Sequence, residues 1–185
     1  MSVFDLPTSL RIGEVDYLIR YGWRAVMDIF IALNDPELDE GMKMEVMLRI
    51  LYPDYEKIPE KDIQEAIEKA CWFLDCGMKP DEKRRPRTMD WEQDAAIILP
   101  EINKIAGKDV RWNPNEHWWT FFGWYMGIES GVFCSVLHIR QKKVKGKKLE
   151  KYEEDFYREN KEMIDLRAPE SDEIRQEKEA LSKWL

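Results

Sequence analysis

From Asn113 to Tyr125 the chain reads Asn-Pro-Asn-Glu-His-Trp-Trp-Thr-Phe-Phe-Gly-Trp-Tyr, with six large aromatics in one short run. Asn113 can cap a helix, Pro114 suits its first position, and Glu116 stands where a capping box needs a carboxylate, so a helix is predicted to start here. On its surface Glu116, Thr120, Gly123 and Gly127 fall at steps of four, three and four and make a narrow polar or small stripe. Aromatics occupy most of the remaining circumference. Such a helix must be covered nearly all round, by the rest of the chain or in part by another polypeptide. Trp118, Phe121, Phe122 and Tyr125 read mostly as core. Eight tryptophans nevertheless exceed what packing requires in a small domain, and tryptophan is over-represented at interface hot spots. Part of the surplus is expected to face another chain.

The 185 residues suffice for one domain with a real core but would be tight for two. A 44% hydrophobic content is too high for a disordered chain, while 36% charged residues predict helices with heavily solvated faces. A net charge of -8 disfavours indiscriminate binding to DNA or anionic membrane. Met1 to Leu10 lacks the pattern of a signal peptide, and no apolar stretch approaches membrane-spanning length. The three cysteines, Cys71, Cys76 and Cys134, follow no disulfide-rich spacing. The expectation is an intracellular protein with free thiols.

Leu10 and Ile12, then Val15, Tyr17 and Ile19 after Gly13-Glu14, alternate with polar residues as in a short strand pair or extended arm. Trp23, Val26, Phe30 and Leu33 recur at helical spacing. Asn34-Asp35-Pro36 closes that segment and offers a cap and first-position proline for the next, whose apolar face is Met44, Met47, Leu48 and Leu51. Ile63, Ile67, Ala70, Cys71 and Leu74 form a third stripe ending at Gly77. Met78 to Thr88 reads as a solvated loop between two helical halves. Asp90-Trp91-Glu92-Gln93 is a capping box before Ala95, Ile98, Ile102 and Ile105, with Pro100 expected to kink or split that helix and Gly107 to end it. Val132, Val136 and Ile139 mark a further helix that runs into a basic stretch, Arg140 to Lys148, broken at Gly146. Leu149, Tyr152, Phe156, Met163 and Leu166 trace a thin stripe at roughly heptad spacing, and Ile174, Leu181 and Leu185 a thinner one.

These patterns predict a mainly α, single-domain protein with a short N-terminal β hairpin or arm: a helical core over residues 1–145 and extended, charged C-terminal helices over 146–185. The latter look like exposed helices awaiting company.

Candidate chemistry is sparse. Cys134 and His138 share a helix face, and with Cys71 and Cys76 they offer zinc-type ligands, but no finger spacing is met and buried thiols are the default. Asp90, Glu92 and Asp94 could be acid–base or metal carboxylates, yet Asp90 has work as a cap and negative charge suits a first helical turn. His117 lacks a nucleophile or carboxylate partner and reads as a buried, hydrogen-bonded histidine. Lys83 to Arg87 and Arg140 to Lys148 could grip phosphates but carry no interleaved aromatics for base stacking. Neither catalytic residue, cofactor, metal nor nucleic acid is assigned.

His117-Trp118-Trp119-Thr120-Phe121, preceded by Asp109-Val110 and followed by Ile139-Arg140, resembles the signature of the bacteriophage "gene product fifteen" family. Pro7, Gly13, Tyr17, Trp23-Arg24, Asp35-Pro36-Glu37-Leu38, Phe73-Leu74-Asp75-Cys76-Gly77 and Asp90-Trp91-Glu92-Gln93-Asp94 follow that family's order, and the similarity spans about Leu6 to Arg140. Gly22-Trp23, where an acidic residue is expected before arginine, and Pro100 depart from the pattern. The resemblance implies a phage morphogenesis protein encoded near the tape measure gene. The usual proposal for that position is a tail assembly chaperone, working in the host bacterial cytoplasm on the tape measure protein or other tail proteins. The alternatives are a structural virion component, such as a tail-completion or connector protein, and a small metal-binding protein or enzyme. Under the chaperone reading Trp118, Trp119, Phe122 and Trp124 supply a docking surface, while Tyr152, Phe156, Leu181 and Trp184 clasp a partner or a second copy in a homo-oligomer. Helix-in-groove recognition would suit such a partner.

Overall fold

A computed structural model describes residues 4–79 and 86–167. Two strands, β1 (Ser9–Ile12) and β2 (Val15–Leu18), pair antiparallel with Leu10 opposite Tyr17 and Ile12 opposite Val15. Alternation sends Leu10, Ile12 and Tyr17 inward. Gly13, at φ 57°, makes the turn, and its N–H donates to Glu65 Oε2 at 2.9 Å, which ties the hairpin tip to the third helix.

Helices make up most of the rest: α1 (Trp23–Asn34), α2 (Glu40–Leu51), α3 (Ile63–Leu74), α4 (Ala95–Ala106), α5 (Trp118–Met126), α6 (Val132–Val144), α7 (Lys151–Glu159) and α8 (Lys161–Ile164). The architecture is mainly α with a short hairpin, as the patterns predict. One large core gathers the hairpin and the inward faces of α1 to α5, where Val26, Ile29, Leu51, Tyr52, Ala66, Phe73, Ile102 and Val110 lose all contact with water. Tyr52 keeps its hydroxyl satisfied there by donating to the Ala66 carbonyl at 3.1 Å.

Several local expectations are corrected. Asp39, not Asp35-Pro36, opens α2, its carboxylate accepting the Met42 N–H. Asp35 instead holds a turn by accepting from the Glu37 N–H. Cys71 lies on the exposed side of α3, and Ala66, Ala70, Phe73 and Leu74 form the buried stripe. Asp90 accepts from the Glu92 and Gln93 N–H groups as a cap should, although regular helix begins only at Ala95. Pro100 does not split α4. It sits on the exposed side together with Ala96, whose carbonyl loses its helical donor there, where water can replace that donor.

The aromatic helix starts four residues later than a cap at Asn113 requires. Its approach strand is used instead by the entrance to α1: Trp118 N–H donates to the Tyr21 carbonyl at 2.8 Å and Trp23 N–H to the Glu116 carbonyl at 2.9 Å. Gly22 and His117 face each other across this antiparallel bridge. Tertiary pairing takes the Asn113, Pro114 and Glu116 carbonyls, which accept from Trp23 and Arg24 and which a helix starting at Pro114 would need for its own first turns. His117 becomes the cap, its Nδ1 accepting the Trp119 N–H at 3.1 Å, and Glu116 pairs with Lys108 at 2.5 Å.

The C-terminal helices within the described residues do not protrude. A second, smaller core of Val136, Ile139 and Ile164, flanked by Leu149, Phe156, Tyr157 and Met163, seats α7 and α8 on α6. Leu149, Phe156 and Met163 of the thin stripe are therefore used internally, while Tyr152 stays exposed. Lys142 and Glu153, joined at 2.7 Å, and Lys143 and Asp165, at 2.5 Å, reinforce the seam.

Candidate functional site

Along α1, Trp23, Met27 and Ile31 stand at successive four-residue steps beside the inward-facing Val26 and Ile29, so its apolar face is wider than the core alone needs. The surplus flank meets the start of α4 across an open cleft. Trp23, Arg24, Met27 and Ile31 line one wall, Trp91, Glu92, Ala95, Ile98 and Leu99 the other, and Phe121 the floor, around a volume of about 170 Å³.

The walls are fixed. Trp23 stacks on Phe121 at 4.6 Å between ring centroids with planes 5° apart, and its indole N–H donates to the Asn113 carbonyl at 3.0 Å. Trp91 packs against Phe30, Tyr125 and Phe121. One turn further on, Asp94 is bound by Arg140. Arg24 and Glu92 place one charge of each sign among the lining residues and the rest is apolar, with Ile31 45% exposed at the mouth. A cavity of about 150 Å³ accepts a benzene ring, so this cleft suits one aromatic or branched aliphatic side chain, and it falls below the several hundred Å³ usual for cofactor pockets.

The residues expected to dock a partner do not share one face. Trp118 is core, contrary to that expectation: it is 1% exposed, and its indole N–H donates to the Leu74 carbonyl at 2.9 Å. Trp119 is half-buried, bonded to the Phe73 carbonyl and edge-on to Trp72. Phe122 is wedged between Trp118 and Tyr125. Trp124 lies under the Lys108 ammonium at 5.2 Å, a cation–π contact. Tyr152 is exposed, whereas Phe156 is half-buried in the second core. Leu181 and Trp184 lie outside the described residues. Trp112, unnoticed in the sequence, is 88% exposed.

The other candidates disperse. His117 is buried between the Pro7 carbonyl, 2.9 Å from Nε2, and the Trp119 N–H, so Nε2 carries the proton in the neutral ring; burial depresses its pKa. His138 points to Glu153, while Cys134 contacts the Ile128 carbonyl. Among the described residues, no three His, Cys, Asp or Glu side chains gather as a metal would require. Arg140, read as part of a basic run, is interior and donates to Asp94. Arg87 pairs with Asp90, and Lys83 to Arg85 fall outside the described residues.

The family signature, His117 to Phe121, is thus the hinge of the whole core: it joins the entrance of α1, the end of α3 and the floor of the cleft. A family model described as Bacteriophage Gp15 protein matches residues 3–166. The chain belongs to that family. It is a bacteriophage protein, and the match covers both cores and the cleft. No curated protein and no solved structure matches it.

The helical stripe Trp23, Val26, Phe30 and Leu33 does not include Met27 and Ile31, which line the cleft. Their spacing from Trp23 was the available signal.

Proposed function

We propose that this Gp15-family protein serves phage tail assembly as a chaperone-like binding protein. It seats an apolar side chain from a helix of the tape measure protein, or of another tail protein, in the cleft between α1 and α4. The observation that carries this reading is an open, rigid, indole-walled cleft of single-side-chain size with a charged rim, the form that helix-in-groove recognition uses for an anchor residue. Membership in a phage family, together with the resemblance to a family encoded near the tape measure gene, supports a tail protein as the partner. Trp112 and Tyr152, both largely exposed, offer further contact surface beyond the anchor or toward a second copy.

Co-expression with the neighbouring tape measure protein followed by size-exclusion chromatography tests the reading. Co-elution is expected, with Ile31→Glu separating the two proteins while leaving the circular dichroism spectrum unchanged. Separate elution of the unmodified pair would overturn it. Stoichiometric presence in purified particles would favour a structural virion role instead.

A further inference from the structure

The two charged residues that line the cleft stand toward its opposite ends. Arg24 belongs to the first turn of α1, where its guanidinium lies 5.9 Å from the centroid of the Trp23 ring. Glu92 follows Trp91, whose ring stacks on Phe30 at 6.2 Å between centroids, and Phe30 is six residues beyond Arg24 on α1. Six residues of helix rise about 9 Å, so a cation and an anion flank the apolar slot at that order of separation, too far apart to pair with each other. Both side chains are exposed, and among the described residues neither is in an ion pair. Asp94 and Arg140, one turn behind the same wall, neutralise each other instead.

We infer that the cleft selects an amphipathic helix whose apolar anchor is flanked, one turn to either side on the same face, by one acidic and one basic residue. This rests on the helix-in-groove role proposed above and adds the partner's charge pattern to it. A helix presents residues three or four apart on one face, and an acid and a base seven residues apart stand about 10 Å from each other along the axis. That matches the separation of the two rim charges. With the acid at Arg24 and the base at Glu92, the anchor midway between them enters the slot beside Met27. The same pairing fixes the direction in which the partner helix lies, since reversing it sets like charges together at both ends. The chain as a whole pulls the other way: its net charge of -8 favours a doubly basic helix at any site, so a preference for mixed charge is the mark of this rim alone.

Three synthetic stapled helices, alike except at two positions, test this against the full chain. Each carries a leucine anchor, with Glu and Lys, Lys and Lys, or Glu and Glu one turn to either side of it. Binding is read from the methyl resonance of Met27, while that of Met47, deep in the core, stays in place as the reference. At low salt the Glu/Lys helix is expected to bind about threefold to tenfold more tightly than either like-charged helix, the worth of exposed ion pairs at both ends. The margin closes near 1 M salt, where charges are screened within about 3 Å. Arg24→Glu moves the preference to the Lys/Lys helix and Glu92→Lys to the Glu/Glu helix. Tightest binding of the Lys/Lys helix by the unmodified chain overturns the proposal, because overall charge then governs. Equal binding of all three, abolished by Ile31→Glu, overturns it as well but leaves the helix-in-groove reading standing. If no helix moves the Met27 resonance, both readings of the cleft fall.

Discussion

Arg140 and Asp94 meet in the interior through two parallel hydrogen bonds, Nη1 to Oδ2 at 2.6 Å and Nη2 to Oδ1 at 2.8 Å, with side chains 4% and 1% exposed. The other three guanidinium N–H groups donate to the carbonyls of Thr88, Met163 and Ile164. All five donors are used. One side chain of α6 thereby fastens the approach to α4, and with it the Trp91 wall of the cleft, to the end of α8.

Breaking half of that pair leaves a buried charge without its partner, the costly case for interior ions. Arg140→Met is expected to lower unfolding free energy by about 3–5 kcal/mol, read by urea denaturation. The double variant Arg140→Met, Asp94→Leu should regain much of this, because it buries no orphaned charge. A double variant no better than the single would mean that the carbonyl contacts, not the ion pair, carry the stability.

His117 gives a pH dependence of definite sign. Burial holds its folded pKa below the ordinary 6.5, so above that pH the ring is neutral in both states and the full stability is present. As pH falls below 6.5 the unfolded chain takes up the proton first, and stability declines until the folded pKa is passed. The slope is at most about 1.4 kcal/mol per pH unit. Melting curves across pH 7.5 to about 5.5 should show it, and His117→Asn should flatten this part of the profile while lowering the melting temperature at neutral pH.

Two glycines should respond oppositely to alanine. At Gly22 an added Cβ would lie 2.8 Å from the Pro114 carbonyl oxygen and 3.1 Å from the Asn115 Cα, both backbone atoms of the segment that leads into α5, so Gly22→Ala should destabilise by about 1–3 kcal/mol. Around Gly123, inside α5, a Cβ meets nothing within 4 Å. Gly123→Ala should therefore stabilise by about 0.5–1 kcal/mol through helix propensity. Thermal denaturation of the two variants decides it, and equal effects would discredit the close approach.

The thiols should differ in reactivity. Burial pushes the Cys76 thiol up to about 12, so at mildly alkaline pH almost none is thiolate, and its side chain is partly covered. Cys71 is exposed, although partial burial and Asp75 also raise its pKa. Iodoacetamide at pH 8 should label Cys71 about tenfold faster, by peptide mass spectrometry. Comparable rates would show that the end of α3 opens readily.

Much of the fold was legible because helices declare themselves locally. The stripes on α1, α2, α4 and α6, the hairpin alternation and the stops at Gly77, Gly107 and Gly146, all with positive φ, each depend on near neighbours in the chain. The misplaced start of α5 has the opposite origin: Asn113 to Glu116 satisfied every local rule for a cap, yet their carbonyls were claimed by Trp23 and Arg24, some ninety residues away. Four of the candidate docking residues, Trp118, Trp119, Phe122 and Trp124, belong to the dense aromatic run. Density did not distinguish Trp118, hidden beneath α3, from Trp119, half open beside Trp72.

The amino-acid sequence alone determined the helical character, the two-stranded start, the aromatic hinge and the family, since periodicity and a short motif are properties of neighbouring residues. Only the tertiary structure decided that Arg140 is an interior clamp, that α7 and α8 fold back, and that the cleft opens between α1 and α4. Each of these depends on groups separated by tens of residues, and burial is settled by which surfaces meet when the chain closes on itself.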